Sequence, residues 1–432
     1  MDLQKILSDL KNCPCGQEHS FDTRAVEIAS GLTPRTGALL READFPTDIL
    51  VVSDRPAWQA ADGILPSLEA AGFSVKLFLY DNMRYARIEQ VHEIEALAAD
   101  VGGILSVGSG SVNDICRVAA YHLSLPFAIF ATAPSMDGFA SDTAPIIENN
   151  FKSTRQARQP DIILADTAIL ARAPAELKSA GFGDMVAKYI GVLEWRFVHM
   201  LTDEYYCPAI AELTMDAVRR MMALCDRVTE EDEEAAGAIM EALVLSGLAM
   251  KLARSSRPAS GAEHTVSHYL ECYKLVRGIW PEYHGKKVGV ATVAINRMYH
   301  RLARVPDITP VPDRIDHEAL AAAFTPQQLA EVEQLIERMP MHLVDPDRLR
   351  AIWPDFCRLI EDFLPTDEAL LDCMRRAGAP TEWEDVHVDA PLLRAALRYH
   401  PFMRYRLMPT RLLPMMGLDI LDYVDLPSTH ED

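Results

Sequence analysis

An alternation that stops partway along the chain constrains the fold more than any other feature. Short apolar runs at 48–52 (DILVV), 74–79 (SVKLFL), 103–107 (GILSV), 127–131 (FAIFA) and 161–164 (DIIL) are separated by helical stretches such as 56–71 and 88–100. Runs this apolar read as buried strands, and strands separated by helices imply a parallel, doubly wound sheet. Ligands of such sheets lie beyond the carboxyl ends of the strands, which directs attention to the loops after Val52, Val107 and Ala131. From about residue 174 the strand signal disappears, and helical periodicity runs through 175–200, 214–228, 230–253, 262–276 and 327–338. Thr229 followed by five acidic residues reads as a helix start, and 306–312 as a proline-rich connector. The expected architecture is an α/β nucleotide-type domain over 1–173 and an all-α domain over 174–432, with a cleft between them.

Charge narrows the partners. Asp and Glu number 63 against 42 Lys and Arg, a formal net charge of −21. That balance excludes nucleic acid and an anionic membrane surface as partners, and any phosphate site must be built locally. No run approaches the ~18 uninterrupted apolar residues of a membrane span, and Met1-Asp2-Leu3-Gln4-Lys5 lacks a signal-peptide pattern. Eight scattered cysteines suit reduced thiols in a cytoplasm better than a disulfide framework.

Several motifs carry chemistry. Gly108-Ser109-Gly110-Ser111-Val112-Asn113-Asp114 follows a strand and opens a helix, whose free N–H groups suit a diphosphate; a tight turn is the other reading. Asn113 replaces the third glycine of the Rossmann fingerprint. Asp54 ends a strand where a carboxylate can accept from a ribose hydroxyl, or cap the next helix. Thr132-Ala133-Pro134-Ser135-Met136-Asp137-Gly138 sets hydroxyls and a carboxylate on a loop beyond another strand, where they meet a ligand or satisfy the turn. Asp184, in G-F-G-D, together with His264 and His284 supplies one carboxylate and two imidazoles, a divalent-metal set with room for a substrate oxygen. His268 lies one turn beyond His264 on the same helix face; Thr265 stands where the zincin motif requires glutamate. Cys13, Cys15 and His19 look metal-like but lack a nearby fourth ligand, so a reduced, buried turn competes. Arg398, Arg404, Arg406 and Arg411 form a basic island that reads as a solvated helix face or a subunit contact.

The order of these pieces, with S-R-P-A-S-G-A-E-H-x-x-x-H and a later H-G, closely resembles the sn-glycerol-1-phosphate dehydrogenase family, a branch of the iron-containing alcohol and glycerol dehydrogenases. The resemblance runs from the Cys13 segment to about Val305. It implies NAD(H), with NADP(H) as alternative, a divalent zinc or nickel ion, interconversion of dihydroxyacetone phosphate and sn-glycerol 1-phosphate, and a homo-oligomer. By position, Asp184, His264 and His284 resemble the metal ligands; His268 and Asp137 resemble substrate contacts, as Asp184 can also be. Gly110, Ser111, Val112, Asn113 and Asp114 resemble the diphosphate loop, and Asp54, Thr132, Ser135 and Ser141 further nucleotide contacts. Glycerol or another polyol is an alternative substrate. Dehydroquinate-synthase-like cyclases share the architecture, but their helical carboxylate ligand is typically glutamate. The glycine loop here reads G-S-G-S where many relatives carry three glycines, and 306–379 matches poorly.

Overall fold

The computed structural model describes residues 1–427. Strands β1 (Ala25–Ala29), β2 (Asp48–Asp54), β3 (Ser74–Tyr80), β4 (Gly103–Gly108) and β5 (Phe127–Ala131) join β8 (Ile162–Asp166) in one sheet. Its order is β1-β8-β5-β4-β2-β3, and every pairing is parallel. All residues of β4, β5 and β8 are buried, which is why they read as continuous apolar runs. The sequence reading missed β1, an edge strand whose AVEIA carries an exposed Glu27. It also missed the antiparallel hairpin β6 (Thr143–Glu148) and β7 (Phe151–Gln156). Asn149 and Asn150, both at positive φ, turn that hairpin as a type I′ connection.

Helices α1 (Leu3–Leu10), α2 (Thr36–Glu42), α3 (Arg55–Ala60), α4 (Ile64–Ala70), α5 (Ile88–Leu97), α6 (Gly110–Leu123) and α7 (Thr167–Arg172) accompany the sheet. The single helix expected over 56–71 is two, because Gly63 takes a left-handed conformation between them. Beyond residue 174 the described residues are helical and irregular. They include α8 (Ala175–Val186), α9 (Lys188–Thr202), α10 (Pro208–Met222), α11 (Glu233–Ala253), α12 (Ala262–Val276) and α13 (His284–Leu302). Further along come α14 (His317–Ala323), α15 (Pro326–Arg338), α16 (Pro346–Phe363), α17 (Asp367–Arg376) and α18 (Ala390–Tyr399). The start of α11 differs from expectation: Asp232, not Thr229, caps it, accepting from the Ala235 N–H at 2.8 Å. α11 is also the one helix among the described residues long and apolar enough to cross a membrane, with a window of mean hydropathy 1.5. Buried residues make up 72% of that window, as in the core helix of a folded domain.

Three apolar cores result. One face of the sheet packs Ile49, Val51 and Phe130 against Leu40 of α2 and Leu68 of α4. The other packs Leu50, Ile104 and Ile129 against α6, and this core continues into α8, α10 and α11 through Met185, Met215 and Leu243. The third lies mainly among helices, where Trp353 and Phe356 of α16 meet Phe197 of α9 and Tyr299 of α13, with Phe151 of β7 joining it. Each fully buried large side chain contributes about 1.5–3 kcal/mol of transfer free energy.

Close backbone approaches then fix α8. A Cβ on Gly181 would fall 1.9 Å from the Pro134 carbonyl oxygen, and one on Gly285 would fall 1.9 Å from that of Ala180. The end of the β5 loop, α8 and the start of α13 therefore meet at backbone contact, and any side chain at either glycine would separate them.

Candidate active site

That junction gathers the candidate residues. Asp184, in the last turn of α8, is fully buried; His264 and His268 lie one turn apart on α12, and His284 opens α13. Asp184, His264 and His284 each present a ligand atom within 4.8 Å of the others'. Asp184 Oδ1 lies 3.2 Å from His264 Nε2. The opposite nitrogen, His264 Nδ1, donates to Glu263 Oε1 at 2.6 Å, which fixes the ring with Nε2 facing Asp184. His284 Nδ1 is buried without a hydrogen-bond partner, 3.6 Å from Glu271 Oε1. A carboxylate, two imidazoles, an oriented ring and an orphaned ring nitrogen fit a divalent cation.

Asp137 joins them from the loop after β5. Its backbone N–H donates to Asp184 Oδ2 at 2.9 Å, and its carboxylate accepts from Lys188 at 2.7 Å and from Ser246 Oγ at 3.0 Å. Lys188, fully buried, also lies 3.4 Å from Asp184 Oδ1 and donates to the Asp184 carbonyl at 2.9 Å. It sits just past Ala187, where the helix expected over 175–200 breaks into α8 and α9. Burial alone would raise the Asp184 pKa; Lys188, the hydrogen bond from His264 and the charge of His284 outweigh it and hold the carboxyl well below its usual range.

Cations ring the far side. Lys152 of β7 pairs with Glu271 at 2.8 Å, and Lys287 of α13 lies 3.2 Å from the same carboxylate. Burial and the charges of Arg404 and Lys152 push the His268 imidazole well below its ordinary pKa, so it is neutral. Arg404 and Arg406, expected on a solvated face or subunit contact, instead turn inward. Both donate to Ser256 Oγ, at 3.3 and 3.1 Å, and Arg406 also reaches the Ser260 hydroxyl at 3.2 Å. Burial, with Arg257 and Arg404 beside it, lowers the Arg406 pKa to about 9, and its Nε has no partner. Arg411 is likewise buried and paired with Asp313 at 2.7 Å. Such a crowd of positive charge is the local construction that a −21 chain needs to hold an anion.

The nucleotide candidates occupy the carboxyl ends of β2, β4 and β5, as expected. Gly110 and Ser111 open α6, with Val112 and Asn113 buried behind them. Asn113 Oδ1 accepts from Ser106 at 2.6 Å, while its Nδ2 is unpartnered; Asp114 is locked in a buried pair with Arg117. Thr132 and Ser135 lie buried beyond β5, and a side chain at Gly110 would meet Met136 at 3.0 Å, so this loop and the α6 N-terminus touch. Ser141 Oγ is committed to Thr143 at the start of β6. Asp54 caps α3 through the Ala57 N–H at 2.9 Å and accepts from Met83 N–H at 3.2 Å, realising the capping reading. A carboxylate retains lone pairs for a further donor.

The sequence reading missed Lys152, Lys188, Ser246, Glu263, Glu271 and Lys287. Two had a signal: Lys188 stands four residues after Asp184, and Glu271 three after His268, each on one helix face.

Comparison with known proteins identifies the fold and the family. The iron-containing alcohol dehydrogenase family matches residues 27–174. A probable glycerol dehydrogenase from Sinorhizobium meliloti 1021 superposes with a TM-score of 0.62 at 17% identity, covering 93% of this chain and 99% of that one. The NADH-dependent butanol dehydrogenase A from Thermotoga maritima gives 0.60 at 15% identity, covering 95% and 94%. The fold is thus that of the iron-containing alcohol dehydrogenases. Among curated relatives, glycerol-1-phosphate dehydrogenase [NAD(P)+] of Geobacillus stearothermophilus is 32% identical over 362 residues, 81% of this chain and 87% of that one. The protein of the same name from Methanosarcina barkeri is 34% identical over 271 residues, 62% and 75% of the two chains. The chain belongs to this glycerol-1-phosphate dehydrogenase family.

Proposed function

We propose that this enzyme reversibly reduces dihydroxyacetone phosphate to sn-glycerol 1-phosphate with NADH or NADPH, using a divalent zinc or nickel ion, in the cytoplasm. Residues 1–173 would form the nucleotide-binding unit and 174–432 the metal- and substrate-binding unit. The observation that carries the reading is the meeting of Asp184, His264 and His284 with a cationic wall of Lys152, Arg404 and Arg406. A bound cation would supply Lewis-acid polarisation of the ketone, and the nicotinamide a hydride. Asp184, His264 and His284 would hold that cation; one carboxylate among three ligands leaves a net positive centre suited to an alkoxide.

The chain's own residues do the rest. Lys188 neutralises Asp137 and Asp184 together, so the half-buried and the buried carboxylate tolerate each other at the mouth of the β5 loop. Neutral His268, one turn from His264, would offer its ring N–H to the substrate oxygen as a hydrogen-bond donor. The N-terminal turn of α6 offers backbone N–H groups to a diphosphate. Lys152 and Arg404 favour a phosphorylated substrate over glycerol itself, the alternative within this fold.

Purified full-length protein should oxidise NADH or NADPH with dihydroxyacetone phosphate, lose activity on chelation and regain it with zinc or nickel. Replacing Lys152 or Arg404 with alanine should raise KM for dihydroxyacetone phosphate about 10–100-fold, the worth of one charge-assisted hydrogen bond. Full activity of His264→Ala or His284→Ala would overturn the metal set. Faster oxidation of glycerol than of glycerol 1-phosphate would overturn the substrate.

A further inference from the structure

The Cys13-Pro14-Cys15-Gly16 segment acquires in the fold the fourth ligand it lacks in sequence. Cys207, at the N-terminus of α10, comes within 3.3 Å of Cys13, sulfur to sulfur. His19 Nε2 lies 3.1 Å from Cys15 Sγ and 3.9 Å from Cys207 Sγ. One ligand atom from each of Cys13, Cys15, His19 and Cys207 lies within 4.8 Å of all the others. Zinc–sulfur bonds of about 2.3 Å and zinc–nitrogen bonds of about 2.0 Å place tetrahedral ligand atoms roughly 3.5–3.7 Å apart, close to this spacing. The Cys13–Cys207 distance is well beyond a disulfide of about 2.05 Å, and all eight cysteines are free.

The surroundings are built for the same purpose. His19 Nδ1 donates to the Leu252 carbonyl at 3.1 Å, which fixes the tautomer that turns a bare Nε2 toward the sulfurs. Tyr205 donates its hydroxyl to Cys15 Sγ at 3.5 Å, as expected beside a thiolate ligand. Gly16 takes a φ of +76°, so the chain reverses directly after Cys15 and returns His19 to the group. The segment carrying these ligands, residues 12–24, has no helix or strand of its own.

We propose that Cys13, Cys15, His19 and Cys207 bind a structural zinc ion, separate from the catalytic centre, that fastens this irregular segment to α10 and to the end of α11. Three thiolates and an imidazole complete a tetrahedron with no open position, the mark of a structural rather than a catalytic site. The site shares no residue with Asp184, His264 and His284, so it does not depend on the reaction proposed above.

The test uses full-length protein purified under a thiol reductant from zinc-supplemented cells. The His264→Ala/His284→Ala double variant should retain one equivalent of zinc. After exchange with cobalt, that variant should show intense thiolate-to-metal charge transfer and the visible bands of tetrahedral cobalt. Adding Cys207→Ser should abolish both. Since that variant can fail to fold, the wild-type cysteines serve as a second measure: titration with an organomercurial should release this zinc once three thiols have reacted. A double variant free of zinc, a cobalt spectrum without thiolate bands, or a Cys13–Cys207 disulfide in peptide maps of the reduced preparation would overturn the proposal.

Discussion

Lys188 shows at the scale of a single residue how much the site depends on a group with no exposed surface. Its ammonium lies within 3.4 Å of two carboxylates, Asp137 and Asp184, inside the protein. Lys188→Met leaves both uncompensated, and breaking a buried pair typically costs about 3–5 kcal/mol. We expect a matching fall in the urea midpoint, larger than that of any exposed lysine such as Lys5. His400 sets a pH limit by a different route. Its Nδ1 donates to the Ala396 and Leu397 carbonyls, its Nε2 accepts from Thr410, and burial lowers its pKa to about 4. The unfolded chain, at about 6.5, binds this proton first. Stability from neutral His400 is therefore complete above about pH 6.5 and lost progressively toward pH 4, by about 3 kcal/mol. His400→Gln should flatten that part of the stability–pH curve in denaturant titrations; an unchanged slope would assign it to other groups. Asp184, His264 and His284 were legible in the sequence because their motifs are distinctive. Lys152 and Glu263 were not, because nothing in a sequence marks a charge that matters only through the partner the fold gives it.

Elements position these residues through contact between backbones. α8 and α13 approach so closely at Gly183 that a Cβ there would sit 2.5 Å from the Gly285 carbonyl oxygen. Gly285→Ala should force the helices apart at the cost of overpacking, about 1–3 kcal/mol. It should lower metal affinity at Asp184 and His284 far more than it lowers helix content, which metal titration and circular dichroism can separate. Five of the six sheet strands were legible: β4, β5, β8 and most of β2 because burial on both faces leaves continuous apolar runs. The fifth, β3, was legible because SVKLFL keeps an apolar composition, although it proves to be an edge strand with no buried residue rather than the buried strand expected. β1 was not, since its five residues are interrupted by the exposed Glu27. The β6–β7 hairpin hid for a similar reason: Lys152, Ser153 and Thr154 read as polar loop until their pairing with β6 is seen. The inward turn of Arg404 was equally hidden, because a helix-flanking arginine is exposed in most proteins and only packing against α12 decides otherwise.

At the scale of the whole molecule, a charge of −21 and a pocket of lysines and arginines act over different ranges. The field of the acidic excess reaches about 30 Å at 0.01 M salt and about 10 Å at 0.1 M. Raising salt across that interval should increase kcat/KM for the phosphorylated substrate, and higher salt should lower it again as Lys152 and Arg404 are screened. A steady fall from the lowest salt would mean that the pocket outweighs the global field even at long range. The division into a sheet-bearing half and a helical half was legible at once, but the continuity of one core through both was not. That continuity has a consequence for the order of synthesis. α11, the stretch apolar enough to resemble a membrane segment, packs mainly on β1, α7, α8, α10 and the turn around Ala140, all of which precede it in the chain. A ribosome therefore delivers this greasiest helix onto a surface that already exists. α12 and α13, whose core is completed by α16 and α18, must wait for residues translated later. The most aggregation-prone stretch of the nascent chain is thus the one that finds cover earliest.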